Sequence, residues 1–219
     1  MTFLHHLWDW CRGGAKRSWA FAFVLTLLSH SSILLSINPG HVPRRHKAYA
    51  NGILMIMILR PYGSEDLDEI VQLWYHAWHH TFPFFKHPQP LETWRTRFHD
   101  DIAMNETIWV VEQEGRIIGF LALREHDSYL DLLFVDPQFH HQGVGTVLMN
   151  KAKQLSPHGL SLHTLQQNQN SRAFYERRGF HAMRLGRNAF SSQPDVEYYW
   201  EPEEGETAEY QKHYTVDFS

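Results

Sequence analysis

A strand-like run, a loop with two glycines and an amphipathic helix follow one another in residues 129–155, and this unit constrains the fold most. Residues 129–135 (YLDLLFV) are mostly apolar and rich in β-forming residues. The helix predicted after the loop carries one apolar stripe, formed by Val144, Leu148, Ala152 and Leu155. A helix with one apolar face docks on a second layer, and the preceding strand supplies a sheet for it. The unit therefore predicts an α/β sandwich in which the N-terminus of the helix faces the end of a strand.

Signals for further strands and helices lie on both sides of this unit. A short apolar run over residues 56–60 ends at Pro61 and predicts a strand. Ser64 is expected to cap a helix whose apolar positions recur every 3.6 residues as far as Trp78. The other predicted elements are a helix over residues 91–104, a hairpin across Glu114-Gly115, strands over 160–165, 181–184 and 196–200, and a helix over 171–178 that Gly179 ends. Together these elements predict a mixed sheet with helices on its faces.

The first 54 residues differ in pattern from the rest of the chain. Lys16 and Arg17 precede an apolar stretch over residues 19–37, which polar residues interrupt at its centre. Three interpretations stay open: a mis-assigned start upstream of Met55 or Met57, a membrane anchor, and a cleaved signal sequence. The predicted organisation is an N-terminal extension over residues 1–54, a domain over 55–200, and an acidic tail over 201–219 whose lack of period predicts mobility.

Charge and the histidine and cysteine content narrow the classes of function. The formal net charge of −4 argues against bulk nucleic-acid binding, which needs a basic surface. Cys11 is the only cysteine, so an intrachain disulfide is impossible; a cytoplasmic location fits, with membrane attachment as the alternative if residues 19–37 form an anchor. His76 and His80 have the i, i+4 spacing of metal ligands, but no matched carboxylates or cysteines accompany them, so no metal site is expected.

Two glycines, Gly143 and Gly145 in HHQGVGT, mark the start of the helix that follows the loop. A helix N-terminus presents unpaired N–H groups and a positive dipole end, and glycine lets a phosphate approach the backbone closely. A dinucleotide fingerprint would need a third small residue where Leu148 stands, and a P-loop would need Gly-Lys-Ser/Thr, which this loop lacks. Taken alone, the two glycines fit both an ordinary strand-to-helix turn and a phosphate cradle.

The stretch LDLLFVDPQFHHQGVGTVLM resembles the acetyl-coenzyme A signature of the GCN5-related N-acetyltransferase (GNAT) superfamily. That signature is an apolar strand, a Val-x-Pro turn, and Arg/Gln-x-x-Gly-x-Gly/Ala at the start of a helix. Val135 and Pro137 match the strand end and the turn, and both glycines match the small positions. His140 stands where the family usually has arginine or glutamine, which is a departure.

A second segment, NQNSRAFYERRGF, is similar to the family pattern Asn-x-x-Ala-x-x-Phe-Tyr-x-x-x-Gly-Phe. Its matching positions are Asn168, Phe174, Tyr175, Gly179 and Phe180, with Ser171 in place of alanine. The resemblance covers roughly residues 57–200. It implies a GNAT-type mixed, mostly antiparallel central sheet flanked by helices, the acyl-CoA N-acyltransferase fold.

The resemblance implies transfer of an acetyl group from acetyl-CoA to a primary amine by direct attack in a ternary complex, without a metal. It implies that Tyr175 is the general acid, since a phenol can protonate the departing thiolate. Asp131 is the candidate base, with His126, Asp127 and His163 as rivals and a purely structural role as an equal alternative. The implied cofactor-binding residues are Leu133, Phe134 and Val135 for the pantetheine arm, His140, His141, Gln142, Gly143, Val144, Gly145 and Thr146 for the pyrophosphate, and Asn168 and Tyr175 beside them.

The acceptor amine is expected to bind near the first two helices and their loop, residues 78–90 (WHHTFPFFKHPQP), which are rich in aromatic residues and histidine. Such a lining suits a small amine with an apolar body, and it equally suits packing at a homodimer interface. The acceptor itself is open between a small molecule and a protein amine. The alternative to an enzyme is a non-catalytic acyl-CoA-binding or sensing module on the same fold; Tyr175 and the two glycines favour catalysis.

Overall fold

The computed structural model describes residues 44–50, 53–83, 89–188 and 193–203, with side chains from residue 56 onward. The strands in these ranges are β1 (Arg44–Ala50), β2 (Ile53–Pro61), β3 (Thr107–Gln113), β4 (Arg116–Arg124), β5 (Tyr129–Val135), β6 (Leu160–Leu165), β7 (His181–Arg187) and β8 (Pro194–Trp200). The helices are α1 (Leu67–Thr81), α2 (Leu91–Arg97), α3 (Ala103–Asn105), α4 (Val144–Leu155) and α5 (Gln169–Glu176). A π turn, Phe98–Ile102, joins α2 to α3, and 3₁₀ turns lie at Ser64–Asp66, Glu125–Asp127 and Pro137–Phe139.

The described strands form one sheet in the order β1-β2-β3-β4-β5-β6-β8-β7. Neighbouring strands are antiparallel except β5 and β6, which are parallel and paired only where Tyr129 lies opposite Ser161. The two strands separate beyond this point, so the sheet opens along the rest of β5. The predicted mixed, mostly antiparallel sheet flanked by helices is confirmed.

Helices cover both faces of the sheet, which explains why β3 and β4 are apolar on both sides. On one face, α1 and the π turn bury Ile70, Trp74 and Phe98 against Phe120 of β4. On the other face, α4 buries its predicted apolar stripe in a core that also holds residues of α5, β6 and β8. The amphipathic helix therefore docks as its periodicity predicts.

The local signals in the sequence locate most of these elements. The predicted hairpin turn lies at Glu114 and Gly115, whose φ angles of 52° and 77° place both in the left-handed region that suits a tight hairpin. The prediction that Ser64 caps α1 is wrong, because Ser64 lies inside a 3₁₀ turn and its side chain makes no capping bond. Instead, the Asp66 carboxylate accepts a hydrogen bond from the Gly63 amide at 2.8 Å.

Part of the sheet lies upstream of residue 55, the predicted start of the domain. Ile53 begins β2, and all seven residues of β1 pair with β2. The β1 sequence, RRHKAYA, has no apolar alternation that would indicate a strand. The apolar stretch over residues 19–37 and most of the acidic tail lie outside the described residues. No helix in the described part of the chain is long and apolar enough to cross a membrane.

Candidate active site

The opening between β5 and β6 exposes one edge of the β5 backbone. Tyr129 closes the narrow end of this opening, since its hydroxyl lies 3.2 Å from Nδ1 of His163 on β6. From Leu132 to Val135, β5 is paired with β4 on one side only. The edge on the β6 side, which includes Leu133, Phe134 and Val135, therefore has backbone groups available to an extended ligand.

Asp131 lies at a bulge in β5. The pairing with β4 places Leu130 opposite Leu123, and the next paired residue, Leu132, lies opposite Ala122. Asp131 is therefore the extra residue, and the bulge shifts the alternation of the strand. Leu130 packs into the core beneath α4, whereas Leu132 packs into the core beneath α1. A bulge re-aims the side chain that it carries, so Asp131 does not follow the regular pattern of the strand.

Two carboxyl groups near the bulge have raised pKa values. Burial raises the pKa of Asp131, although Arg97 and Arg124 oppose this shift. Burial, together with the charge of Asp131, raises the pKa of Glu106 to about 8. Oε2 of Glu106 is fully buried and has no hydrogen-bond partner among the described residues. Because ionisation of a carboxyl group is unfavourable in such a place, Glu106 keeps its proton at neutral pH and loses it only at a higher pH.

The loop between β5 and α4 has the geometry of an anion site. Gly143 is the N-cap of α4 and has a φ of 89°, a left-handed conformation that favours glycine. Its carbonyl accepts from the amides of Thr146 and Val147, both at 3.0 Å. The first helical amides, those of Val144 and Gly145, have no acceptor within the helix. A Cβ added at Gly143 would have no neighbouring atom within 4 Å, so the space outside the loop is open.

The side chains of this loop mainly brace it. The His140 Nε2 donates to the carbonyl of Val135 at 3.2 Å, and the ring lies 6.3 Å from that of His80, which is near the end of α1. Gln142 donates to the carbonyl of Gln138 at 3.0 Å. His141 is exposed and has a φ of 62°. His140 therefore tethers the loop to the end of β5.

Gly145 also has a structural reason to lack a side chain. A Cβ at this position would lie 3.1 Å from the Phe174 ring of α5, closer than side chains ordinarily pack. Phe174 thereby holds α5 against the first turn of α4. The close contact fixes the position of the next residue, Tyr175, relative to the loop.

Tyr175 is 9% exposed, and its ring contacts the rings of Phe174, Phe180 and Tyr198. Burial raises the pKa of the Tyr175 hydroxyl to about 12, so it stays protonated at neutral pH. Within the described part of the chain, this hydroxyl makes no hydrogen bond. A protonated phenol without a partner is able to donate to a ligand.

Asn168 caps α5. Its side-chain oxygen accepts from the amide of Ser171 at 3.2 Å, which satisfies one of the free donors at the helix start. The Asn168 side chain is therefore engaged at the start of α5.

The aromatic residues of the first two helices pack mainly on one another. The Trp74 and Trp94 rings meet edge to face at 4.6 Å, and the Tyr75 and His79 rings lie 4.1 Å apart. Part of the loop proposed as an acceptor lining, residues 84–88, lies outside the described residues. In the ranges that the structure describes, no three histidine, cysteine, aspartate or glutamate residues are grouped so that they could hold a metal ion.

The sequence matches the family model described as Acetyltransferase (GNAT) family over residues 68–180. The protein belongs to the GNAT family. Peptidyl-lysine N-acetyltransferase YiaC of Escherichia coli is 33% identical over 129 residues, which cover 57% of this chain and 83% of that protein. YjaB of the same bacterium, also named a peptidyl-lysine N-acetyltransferase, is 28% identical over 130 residues, covering 58% of this chain and 83% of its own length.

Solved structures show the same fold. The PaiA N-acetyltransferase from Thermoplasma acidophilum, in complex with coenzyme A, has a TM-score of 0.55 at 18% identity, covering 67% of this chain and 99% of that chain. At this identity the likeness concerns the fold alone. Together with the family match, it confirms the resemblance inferred from the two motifs, and this GNAT protein is an acyltransferase.

The GNAT fold brings several of the expected residues to one place. The end of β5, the first turn of α4 and Phe174 meet at Gly145, and Tyr175 follows Phe174 on α5. Two rival bases, His126 and Asp127, lie instead in an exposed 3₁₀ turn, where Asp127 pairs with Arg124 at 3.5 Å.

Glu106 was not among the residues predicted from the sequence. It lies two residues before the buried Ile108 at the start of β3, so the strand period places it on the inner face beneath α1 and α2. The strand period therefore indicates burial of Glu106, but no local pattern indicates that Asp131 lies in a bulge near it. The proximity of Glu106 to the charge of Asp131 depends on the register of the strands.

Proposed function

We propose that this GNAT protein transfers an acetyl group from acetyl-CoA to a primary amine, by direct attack of the amine in a ternary complex. The observation that carries the proposal is the position of Tyr175. It is a buried, protonated phenol whose hydroxyl has no hydrogen-bond partner among the described residues, and the preceding residue, Phe174, packs on Gly145 at the start of α4. A structural tyrosine in a core usually finds a hydrogen-bond partner for its hydroxyl.

The donor would lie along the open edge of β5 and across the start of α4. Acetyl-CoA supplies an activated thioester, and the protein orients it. The backbone of Leu133, Phe134 and Val135 would bind the pantetheine arm as an added strand binds. The helix N-terminus would bind the pyrophosphate through amides in the segment His140, His141, Gln142, Gly143, Val144, Gly145 and Thr146. Asn168 would keep the neighbouring loop in place through its cap.

The proposed reaction needs a proton acceptor for the amine and a proton donor for the departing thiolate. An alkylamine such as lysine has a pKa near 10.4 and must lose a proton before it attacks a carbonyl carbon. Asp131 is the proposed acceptor of that proton, directly or through water. As the new amide bond forms and the carbon–sulfur bond breaks, Tyr175 donates its proton to the departing sulfur. The attacking nitrogen loses a second proton as the amide forms, and this proton replaces the one that Tyr175 gives to the sulfur. The first proton passes from Asp131 to solvent, so each turnover releases one proton.

A lysine side chain of a protein, or a small primary amine, is the proposed acceptor. The two bacterial relatives named as peptidyl-lysine N-acetyltransferases support the protein amine. The Asp131 carboxylate, when ionised, also suits a cationic acceptor, because an ammonium group is attracted to it. No aromatic box for a particular amine follows from the described residues.

A turnover screen tests the proposal. Purified protein is incubated with acetyl-CoA and a panel of lysine peptides, polyamines, aminoglycosides and small aralkylamines, and release of free coenzyme A is followed with a thiol reagent. Amine-dependent release with one acceptor class supports the enzyme. Tight binding of acetyl-CoA by calorimetry with no turnover on any class would instead support the acyl-CoA sensing module.

A further inference from the structure

Arg178 reaches from the end of α5 to the first turn of α4. Its guanidinium lies 3.6 Å from the centre of the Phe174 ring, and Nη1 donates to the Phe174 carbonyl at 3.0 Å. Nη2 donates to the hydroxyl of Thr146, the third residue of α4. From the other end of α4, Lys153 donates to the backbone carbonyl of Arg178 at 2.8 Å. Both the backbone and the side chain of Arg178 are thus held in place beside the helix N-terminus.

The charge of Arg178 is poorly compensated where it lies. In the described part of the chain it forms no ion pair, and its Nε is fully buried with no hydrogen-bond partner. Burial and the neighbouring Arg177 lower the pKa of Arg178. The positive end of α4 adds to this repulsion, because a helix N-terminus favours anions and disfavours cations. A partly buried cation at such a position is stabilised when an anion binds between it and the helix.

The donor geometry of Arg178 leaves room for that anion. A guanidinium has five N–H groups. Two are used by Phe174 and Thr146, and the buried Nε carries a third. Two N–H groups therefore remain for a ligand, and the N–H groups of arginine suit the oxygens of a phosphate. His140, at the position where the family usually has arginine or glutamine, is tied to the end of β5 instead.

We propose that Arg178 binds the diphosphate of the acyl-CoA donor at the N-terminus of α4, and so supplies the side-chain donor that the loop position of His140 lacks. The inference rests on the proposed function for the identity of the donor. It assigns Arg178 to ground-state binding of the donor, away from the reacting carbonyl.

Binding of a donor series to four proteins tests this assignment. The proteins are the wild type, Arg178→Gln, Arg178→Lys, and Arg177→Gln as a control that removes the same charge from an exposed neighbour. The donors are acetyl-CoA, acetyl-dephospho-CoA, which lacks only the 3′-phosphate, and S-acetylpantetheine, which lacks all phosphates. We expect Arg178→Gln to weaken acetyl-CoA binding about 10- to 100-fold, the range for a hydrogen bond between charged groups.

The losses of affinity for the three donors distinguish a diphosphate contact of Arg178 from a purely structural role. A diphosphate contact predicts the same loss with acetyl-dephospho-CoA, no loss with S-acetylpantetheine, a smaller loss for Arg178→Lys, and near wild-type binding for Arg177→Gln. Equal losses on all donors, or no loss on any, would show that Arg178 only clamps α5 to α4. A loss that disappears with acetyl-dephospho-CoA would move the contact to the 3′-phosphate and overturn the assignment.

Inorganic pyrophosphate separates this inference from the proposed function. We expect it to raise the melting temperature of the wild type and of Arg177→Gln, and to leave that of Arg178→Gln unchanged. If pyrophosphate behaves so but acetyl-CoA binds nowhere, the anion site stands and the acetyltransferase proposal fails. If Arg178→Gln turns over acetyl-CoA with the wild-type KM for the donor, the acetyltransferase proposal stands and the role of Arg178 is wrong.

Discussion

Tyr175 has a buried ring and a hydroxyl that makes no hydrogen bond to a described residue. A substitution can therefore remove the proposed acid and keep the packing of the ring. We expect Tyr175→Phe to keep the ring contacts and to lower kcat about 100-fold or more, the usual contribution of a positioned acid. The dissociation constant of acetyl-CoA should change little, and the melting temperature should not fall, because no protein hydrogen bond is removed. Steady-state kinetics and calorimetry on the same preparations measure these values. An unchanged kcat would remove Tyr175 from the mechanism.

Glu106 allows a prediction about pH because its pKa is raised from 4.5 to about 8. A carboxyl group whose pKa is raised in the folded state contributes stability below its unfolded pKa, and that contribution is lost as pH rises through the folded pKa. We therefore expect Glu106→Gln to have nearly the wild-type melting temperature at pH 5 and a higher one at pH 9, where the wild type must ionise a buried group. Melting curves across this range test the sign, and a variant that is less stable at pH 9 contradicts it.

The positions of Gly143 at the start of α4 and of Tyr175 on α5 were predictable from the sequence, because each lies in a short motif with fixed spacing. Glu106 was not, because its pKa depends on burial beneath α1 and α2 and on the charge of Asp131 across the sheet. Arg178 lies inside a recognised motif, but its proximity to Thr146 arises from the packing of α5 on α4. Functional meaning that depends on a contact between distant segments has no local signal.

The contact of α4 with α5 at Gly145 and Phe174 leads to a prediction about stability. Gly145→Ala places a Cβ 3.1 Å from the Phe174 ring, so one helix must shift. We expect a loss of stability of about 1–3 kcal/mol without any ligand, the usual cost of overpacking. In a Phe174→Leu background, the same substitution should cost less, because the smaller side chain yields. Urea unfolding of the four proteins in this cycle measures the coupling, and equal costs in both backgrounds would contradict the contact.

Elements with a local pattern were predicted closely, and those without one were not. The hairpin of β3 and β4, the strand β5 and the helix α4 each have a regular period and a marked turn or glycine at the end. Strand β1 is polar and joins the sheet only by pairing with β2, so no period indicates it. The bulge at Asp131 depends on the register between two strands, which no single segment encodes.

At the scale of the whole molecule, the sheet consists of two parts that meet at one point. Seven strand pairings are present among the described residues, and β5 with β6 is the one reduced to a single residue pair, reinforced where the Ser161 amide donates to the Ser128 carbonyl at 2.9 Å. Otherwise the parts are joined through the core beneath α4, which includes residues of both. A ligand that binds in the opening along β5 would replace missing strand contacts. The opening arises because β5 and β6 are neighbours in the sheet but pair at only one residue. The sequence predicted both strands, but it did not predict the opening between them.

Acetyl-CoA is therefore expected to stabilise the whole molecule and to protect one edge in particular. At a concentration about 100 times its dissociation constant, a ligand adds about 2.7 kcal/mol of stability, roughly 5–10 °C in melting temperature for a chain of this size. In hydrogen exchange, residues 131–135 of β5 and the first turn of α4 should slow more than β3, whose backbone is already paired on both sides. S-acetylpantetheine should protect β5 while leaving α4 unchanged, since it has no phosphate. Protection spread evenly over the sheet would mean that the donor binds elsewhere.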